Sequence, residues 1–542
     1  MKGNSQGAVE VAPQPGPAVQ ETAFAADITP FSSTLTVLEH EPLPDEIDPP
    51  TQNGYGSIRR TPSSQAQTPK PKAPPPARAL APDLLRGLLM VLMALDHNAM
   101  ALHSWPHGTA VGGENDSVPV HEWNRPLAVT IRTLTHLCAP GFTFLLGMGV
   151  AYFGRSRTNL GWSAGQMIWH FVVRAVVLTL ITEVMGLVMT AGKVWFLNIV
   201  LFSLAVDYLL AGLLWMAVAR TERGVGYLLL KMLPQAEGDD RCQPLLRERR
   251  GEDGLDIAPD RTIIRAADIS WHVHNAVLLG LSVVTIWWNI WLSPTGGYCG
   301  VEPGWERPES VWLRIWFWPV GGTMVDRVLS GFPPMAWLSF AILGLLYGRV
   351  VLARSWSTKA INAANLAVGA GFFFVFVLTR LLHFGNLSEG CLHMPEHVAN
   401  PDKNQYLTSA ASFFYLIKYP PDVAFWSATM SGNFFLLAIF GAIPPRIANR
   451  VFHVLIVFGT SALFFYVVHQ FLLFTTGAWM LSWVGHKMDS NDPWTGKPGI
   501  GVDQTWAIFA NVAFCLAALY PLCRWYGSFK RTKGPDSIWR FF

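Results

Sequence analysis

Pro82-Asp83-Leu84-Leu85-Arg86-Gly87-Leu88-Leu89-Met90-Val91-Leu92-Met93-Ala94-Leu95-Asp96-His97 is the stretch whose reading decides the fold. Its apolar density marks it as the first membrane-crossing helix, yet Arg86 stands near its start and Asp96-His97 near its end. Arg86 and His97 are eleven residues apart. At about 3.6 residues per turn that is almost three whole turns, so both side chains share one face, with Met90 and Met93 between them. An ionisable group inside a membrane helix is costly and marks function by default. The stretch therefore points to a membrane protein whose chemistry is organised around His97.

Working outward, the 542 residues are 51% hydrophobic and only 14% charged. Soluble proteins carry about 25% charged residues, so the composition already favours a bilayer. The 23 Trp and 33 Phe suit lipid-facing surfaces and interfacial belts. A net charge of +3 is too small to suggest a nucleic-acid partner. Six Cys with no CxxC pair make neither a disulfide scaffold nor a zinc site.

Residues 1–80 are rich in Pro, Ser, Thr, Gln and Ala, which predicts a disordered tail. From Pro82 onward, apolar runs able to span about 30 Å recur near 83–104, 127–152, 166–190, 195–219, 271–293, 332–352, 361–384, 420–443, 451–481 and 503–525. The fold expected is all-α: a polytopic membrane helix bundle of about ten transmembrane helices. Val311 to Val320, with three Trp, reads as an interfacial segment. The membrane domain covers 81–533 and a short C-terminal tail covers 534–542.

Basic residues fall on one side of this bundle: Arg155 and Arg157, Arg220 and Arg223, Arg349 and Arg354, Arg446 and Arg450, Lys530 and Arg531. The positive-inside rule makes that side, both termini and a mixed-charge 221–270 loop cytoplasmic. The opposite loops carry the sequons at Asn115 and Asn386, expected as glycosylation sites. They also carry Cys299 and Cys391, the only Cys in those loops, expected to form a disulfide in an oxidising compartment.

With orientation fixed, a rise of about 1.5 Å per residue places His97, His136, Glu183 and His469 at one depth in the outer half of the bilayer. His103 stands just above, at the mouth of the first helix. This predicts a shared polar cavity. Asp96 shares a face with His103, seven residues on, and is expected to orient it. Arg86, with Arg174 nearby, is expected to meet the phosphates of a donor bound from the cytosol. No ligand spacing supports a metal site.

Several motifs together carry a family resemblance. Asp83-Leu84-Leu85-Arg86-Gly87, Met93-Ala94-Leu95-Asp96-His97, Thr135-His136-Leu137-Cys138-Ala139-Pro140, Lys418-Tyr419-Pro420-Pro421, Leu463 to His469 and Tyr520 to Trp525 resemble the heparan-alpha-glucosaminide N-acetyltransferase catalytic-domain family. These are polytopic acyltransferases, more distantly similar to the acyltransferase-3 membrane proteins. The resemblance covers roughly 81–533 and is closer to bacterial-type members.

It implies acyl transfer from cytosolic acetyl-CoA or another acyl-CoA to an acceptor across the membrane, an amino sugar or other glycan. A His near the first span is then the catalytic group. His103-Ser104-Trp105 resembles the family's catalytic stretch beyond that span, so His97 and His103 compete for the role. The compartment expected is an endomembrane (lysosome, vacuole or ER) or the plasma membrane, and a homodimer is compatible with all of this. The alternative is a proton-coupled secondary transporter using the buried His and Glu groups as a relay, although paired Gly- or Pro-broken segments that would mark inverted repeats are not seen.

Overall fold

Read from Leu80, the apolar runs fold as helices. The computed structural model describes residues 80–104, 108–109, 114–232, 261–325, 327–491, 498–534 and 539. They belong to one compact unit, Pro76–Phe542. The expectations for the 1–80 tail, for most of the 534–542 tail and for residues 233–260 lie outside the described residues.

Among the described residues, ten segments are long and apolar enough to cross a membrane. The chain is an integral, multi-pass membrane protein with an all-α bundle. In chain order its helices are α1 (Leu80–Ala101), α2 (Pro126–Thr135), α3 (Cys138–Asn159), α4 (Ala164–Met189), α5 (Val200–Met232), α6 (Arg261–Trp291), α7 (Val311–Phe317) and α8 (Pro334–Ala353). There follow α9 (Thr358–Leu382), α10 (Pro395–Val398), α11 (Ala410–Phe413), α12 (Val423–Ala442), α13 (Pro445–Val451), α14 (His453–Thr460), α15 (Ala462–Val484) and α16 (Thr505–Arg531). The interfacial segment expected at 311–320 is α7, with Trp312 and Trp316 exposed.

The structure departs from the expected spans at four places. The second span is two helices, broken at His136-Leu137, where the Leu137 carbonyl accepts from the Asn433 side chain. The ninth breaks at Ser461, whose hydroxyl donates to the Cys523 carbonyl. Residues expected to open the fourth span form instead a strand, β1 (Phe196–Asn198). Finally, α5 runs on to Met232 and α6 starts at Arg261, so both ends of the expected 221–270 loop are helical. Charged helix formers such as Arg220, Glu222 and Arg223 let a helix continue past the bilayer, because their side chains reach water.

The inter-span loops opposite the basic ends carry what little strand there is. β1 pairs in parallel with β3 (Val328–Ser330), which pairs antiparallel with β2 (Val320–Val325). β4 (His486–Asn491) pairs with β5 (Pro498–Gly501). In the same loops Cys299 and Cys391 are bonded to each other, their Cα atoms 5.1 Å apart. Asp422 caps α12 by accepting from the Phe425 amide, and its other oxygen accepts from the Leu387 amide at 3.0 Å. One carboxylate thus fixes both the start of a span and the loop beside it.

Without a hydrophobic drive between helices in lipid, close packing depends on small residues. α3 and α8 meet along Gly147 and Gly344. A Cβ at Gly147 would strike the Ala341 carbonyl, and one at Gly344 the Phe144 carbonyl. Backbone lies directly opposite each glycine, so no side chain can swing away. Gly344→Val is therefore expected to cost at least the about 1–3 kcal/mol typical of overpacking. It should show as a lower unfolding temperature in detergent, while Gly371→Val, facing open space, should leave that temperature within a degree or two of wild type.

Candidate functional site

α1 carries the centre of the site. Met90 and Met93 are buried, while Asp96 and His97 are half-buried one turn further on. His97 and His469 of α15 meet at 2.8 Å, Nδ1 to Nε2. The Nδ1 of His469 lies 3.0 Å from the Phe465 carbonyl, which can only accept, so that nitrogen carries a proton. A neutral His469 then accepts at Nε2, and His97 must donate from Nδ1. This leaves Nε2 of His97 as the nitrogen with a lone pair. The Gln470 amide, 2.8 Å from the same Nδ1, serves this tautomer when its oxygen faces the ring. The chain of bonds thus runs from a helix carbonyl through two imidazoles to a base.

A second group of charges stands beside it. Arg132, buried at the end of α2, grips Glu114 with two arms: Nε to Oε1 at 2.8 Å and Nη2 to Oε2 at 2.5 Å. Its remaining arm donates to Asp96 Oδ1 at 2.5 Å, and Thr135 donates to that oxygen at 3.1 Å. His136, at the helix break, places Nε2 3.3 Å from Glu114 Oε1. The fork of a guanidinium suits this bidentate task, which a lysine point charge does not.

Glu114 also fixes backbone. Its carbonyl accepts from the amides of Lys418 and Tyr419, at 3.1 and 3.0 Å, and its amide donates to the Tyr415 hydroxyl at 3.1 Å. The buried loop that carries Lys418 is thereby locked to the same ion pairs that hold Asp96. Lys418 is itself buried. Its ammonium lies 5.5 Å from the centre of the Phe332 ring and 5.4 Å from that of Tyr419.

Several expectations are corrected. Asp96 does not orient His103, because Arg132 and Thr135 engage its carboxylate. His103 is exposed, just past α1 with a left-handed backbone, and its Nδ1 lies 2.8 Å from the Ile500 carbonyl. Glu183 does not join the His97 layer. It accepts from the Leu197 amide at 3.0 Å, so it caps β1 from α4. Arg86 and Arg174, expected to meet a donor's phosphates, each engage a neighbour. Arg86 pairs with Asp83 at 3.0 Å, and Arg174 stacks over Tyr208 at 4.9 Å in the α4–α5 pair. Asn386, expected as a glycosylation site, is only 2% exposed, and its side chain bonds Arg380, Glu389 and the Thr379 carbonyl. Asn115 is exposed.

Arg132, Glu114, Lys418 and Gln470 were not singled out from the sequence as site residues. Arg132 carried the clearest signal, a charge nine residues before Gly141 inside an apolar run. Glu114 carried none, since its role depends on a loop folding back between spans. Among the described residues, no group of three or more His, Cys, Asp or Glu is arranged to hold a metal ion.

Two outcomes check this geometry. Removing one partner of a buried ion pair typically costs about 3–5 kcal/mol. Arg132→Met should accordingly give little folded protein in detergent, whereas Arg125→Met, whose pair with Asp503 is exposed, should fold normally. In a glycosylating host, Asn115→Gln should remove any glycosidase-sensitive mass shift and Asn386→Gln should not. Comparison with protein-family models finds no match for this chain, and no curated protein matches it.

Proposed function

We propose that the chain is an acyl-CoA-dependent acyltransferase, with His97 as the general base. The observation that carries this reading is the His97–His469 pair, which leaves His97 Nε2 free to take a proton. Supporting it are the resemblance of the motifs around Asp96-His97 and His136, and the rigid Arg132 lattice beside the base. His97 would remove a proton from an acceptor amine or hydroxyl as that group attacks the thioester carbonyl. The carbon–sulfur bond then breaks, the leaving thiolate takes the proton back from His97, and the acyl group remains on the acceptor.

His469 and Gln470 would hold the tautomer, and the outer loops would admit the acceptor. This reading keeps the basic ends, both termini and the acyl-CoA in the cytoplasm, and Asn115 on the far side. His103 becomes a loop anchor. The same buried charges also suit a proton-coupled transporter, which is the competing reading.

The test is turnover of labelled acetyl-CoA with a sugar amine by purified protein. A general base contributes about 10²–10⁴-fold to rate. His97→Ala should lose that much while folding normally, His469→Ala less, and His103→Ala little. Equal turnover in wild type and folded His97→Ala would overturn the assignment, and solute uptake driven by a proton gradient without acyl transfer would favour the transporter.

A further inference from the structure

Lys418 is a buried cation whose ammonium has no hydrogen-bond or ion-pair partner among the described residues. That is unusual, because a lysine is almost never fully buried unless paired. Arg132 shows the contrast: equally buried, it meets Asp96 and Glu114 with every arm. Two aromatic faces, Phe332 and Tyr419, attract a cation. They do not supply the oxygen acceptors that an ammonium, with three N–H donors, otherwise takes from water.

The position of Lys418 is not accidental flexibility. Its own amide donates to the Glu114 carbonyl, and Lys418 and Pro421 form a bridge within the loop. Asn289 of α6 donates to the Pro421 carbonyl at 2.8 Å, fixing the loop from a second helix. The backbone from which the side chain springs is therefore held by the Glu114–Arg132–Asp96 lattice that also positions the residue before His97. The ammonium is close enough for its charge to act on Asp96, His97 and His136. A held cation near His97 defines, with that imidazole, two points on one ligand.

We propose that Lys418 is an oxyanion-binding residue of this site. It takes a carboxylate, sulfate or phosphate group on the ligand that His97 serves, and so selects acidic over neutral ligands. Asp96 and Glu114 form their ion pairs with Arg132, and neither forms one with Lys418. A compact ammonium suits one oxygen of such a group without demanding a planar, bidentate partner. The ligand's relation to acyl transfer rests on the function proposed above, but the anion site itself does not.

Binding tests it on the full chain in detergent, with glucuronate, inorganic sulfate and inorganic phosphate as probes and glucose as the neutral control. At least one anion should raise the unfolding temperature of wild type while glucose does not. Lys418→Gln should weaken that binding at least tenfold, and Lys418→Arg should largely restore it. Should Lys418→Gln fail to fold, wild type is labelled with an amine-reactive reagent and read by mass spectrometry. Modification of Lys418 should then fall severalfold with the binding anion and not with glucose. No binding by any of the three anions, binding unchanged in Lys418→Gln, or labelling unaffected by anions would each overturn the proposal.

If turnover is established, the split between constants adds a check. Lys418→Gln should raise KM for acidic acceptors and leave neutral ones unchanged. An equal fall of kcat for both would instead assign Lys418 to the transition state and contradict a binding role. Anion binding without any acyl transfer would leave this proposal standing and remove the acyltransferase reading.

Discussion

One guanidinium ties together the first span, the loop after it and the second span. Arg132 is buried between Asp96 on the first span and Glu114 in the loop after it. A buried ion pair is weak evidence of stability on its own, since desolvation consumes much of the attraction. Its value here is positional. Asp96 precedes His97, Glu114 carries the backbone of Lys418, and His136 sits against the Glu114 carboxylate. Three segments distant in sequence are set in register by a single side chain with donors in a fixed fork.

The histidine pair joins α1 to a different helix. His97 and His469 lie on helices far apart in the chain, and their 2.8 Å contact needs α1 and α15 at a fixed height. Close backbone approach at the opposite end supplies part of it: Gly87 abuts the Leu455 carbonyl and Gly459 the Asp83 carbonyl. Asn98 supplies more, donating to the Ile508 carbonyl at 2.9 Å and accepting from Asn511 at 2.6 Å, which ties α1 to α16. Small residues below and paired amides above thus hold the imidazoles where the helix carbonyl of Phe465 can set their tautomer.

The spans were legible because a bilayer imposes length and polarity on every crossing helix, so apolar runs announce themselves. Helix breaks at His136 and Ser461 were not, since both depend on partners from other spans, Asn433 and the Cys523 carbonyl. Depth counting along each helix brought His97 and His469 to one level, but it gives height and not azimuth or neighbour. The same counting put Glu183 at that level, but its carboxylate accepts from the Leu197 amide of β1 instead. Asp96 failed as the partner of His103 for a related reason: a seven-residue spacing predicts a shared face only while the helix lasts, and α1 ends at Ala101. Glu114 and Lys418 lie in loops, where no periodicity places a side chain, so their part in the site emerges only from the fold.

The most direct measurement is a cryo-electron microscopy structure of the protein with a non-hydrolysable acetyl-CoA analogue bound. The account predicts the analogue's acyl carbonyl beside His97, with room for an attacking group within about 3 Å of Nε2, the reach a general base requires. The His97–His469 contact would be intact in that complex. An analogue bound with its acyl end away from His97, or against His103, would contradict it.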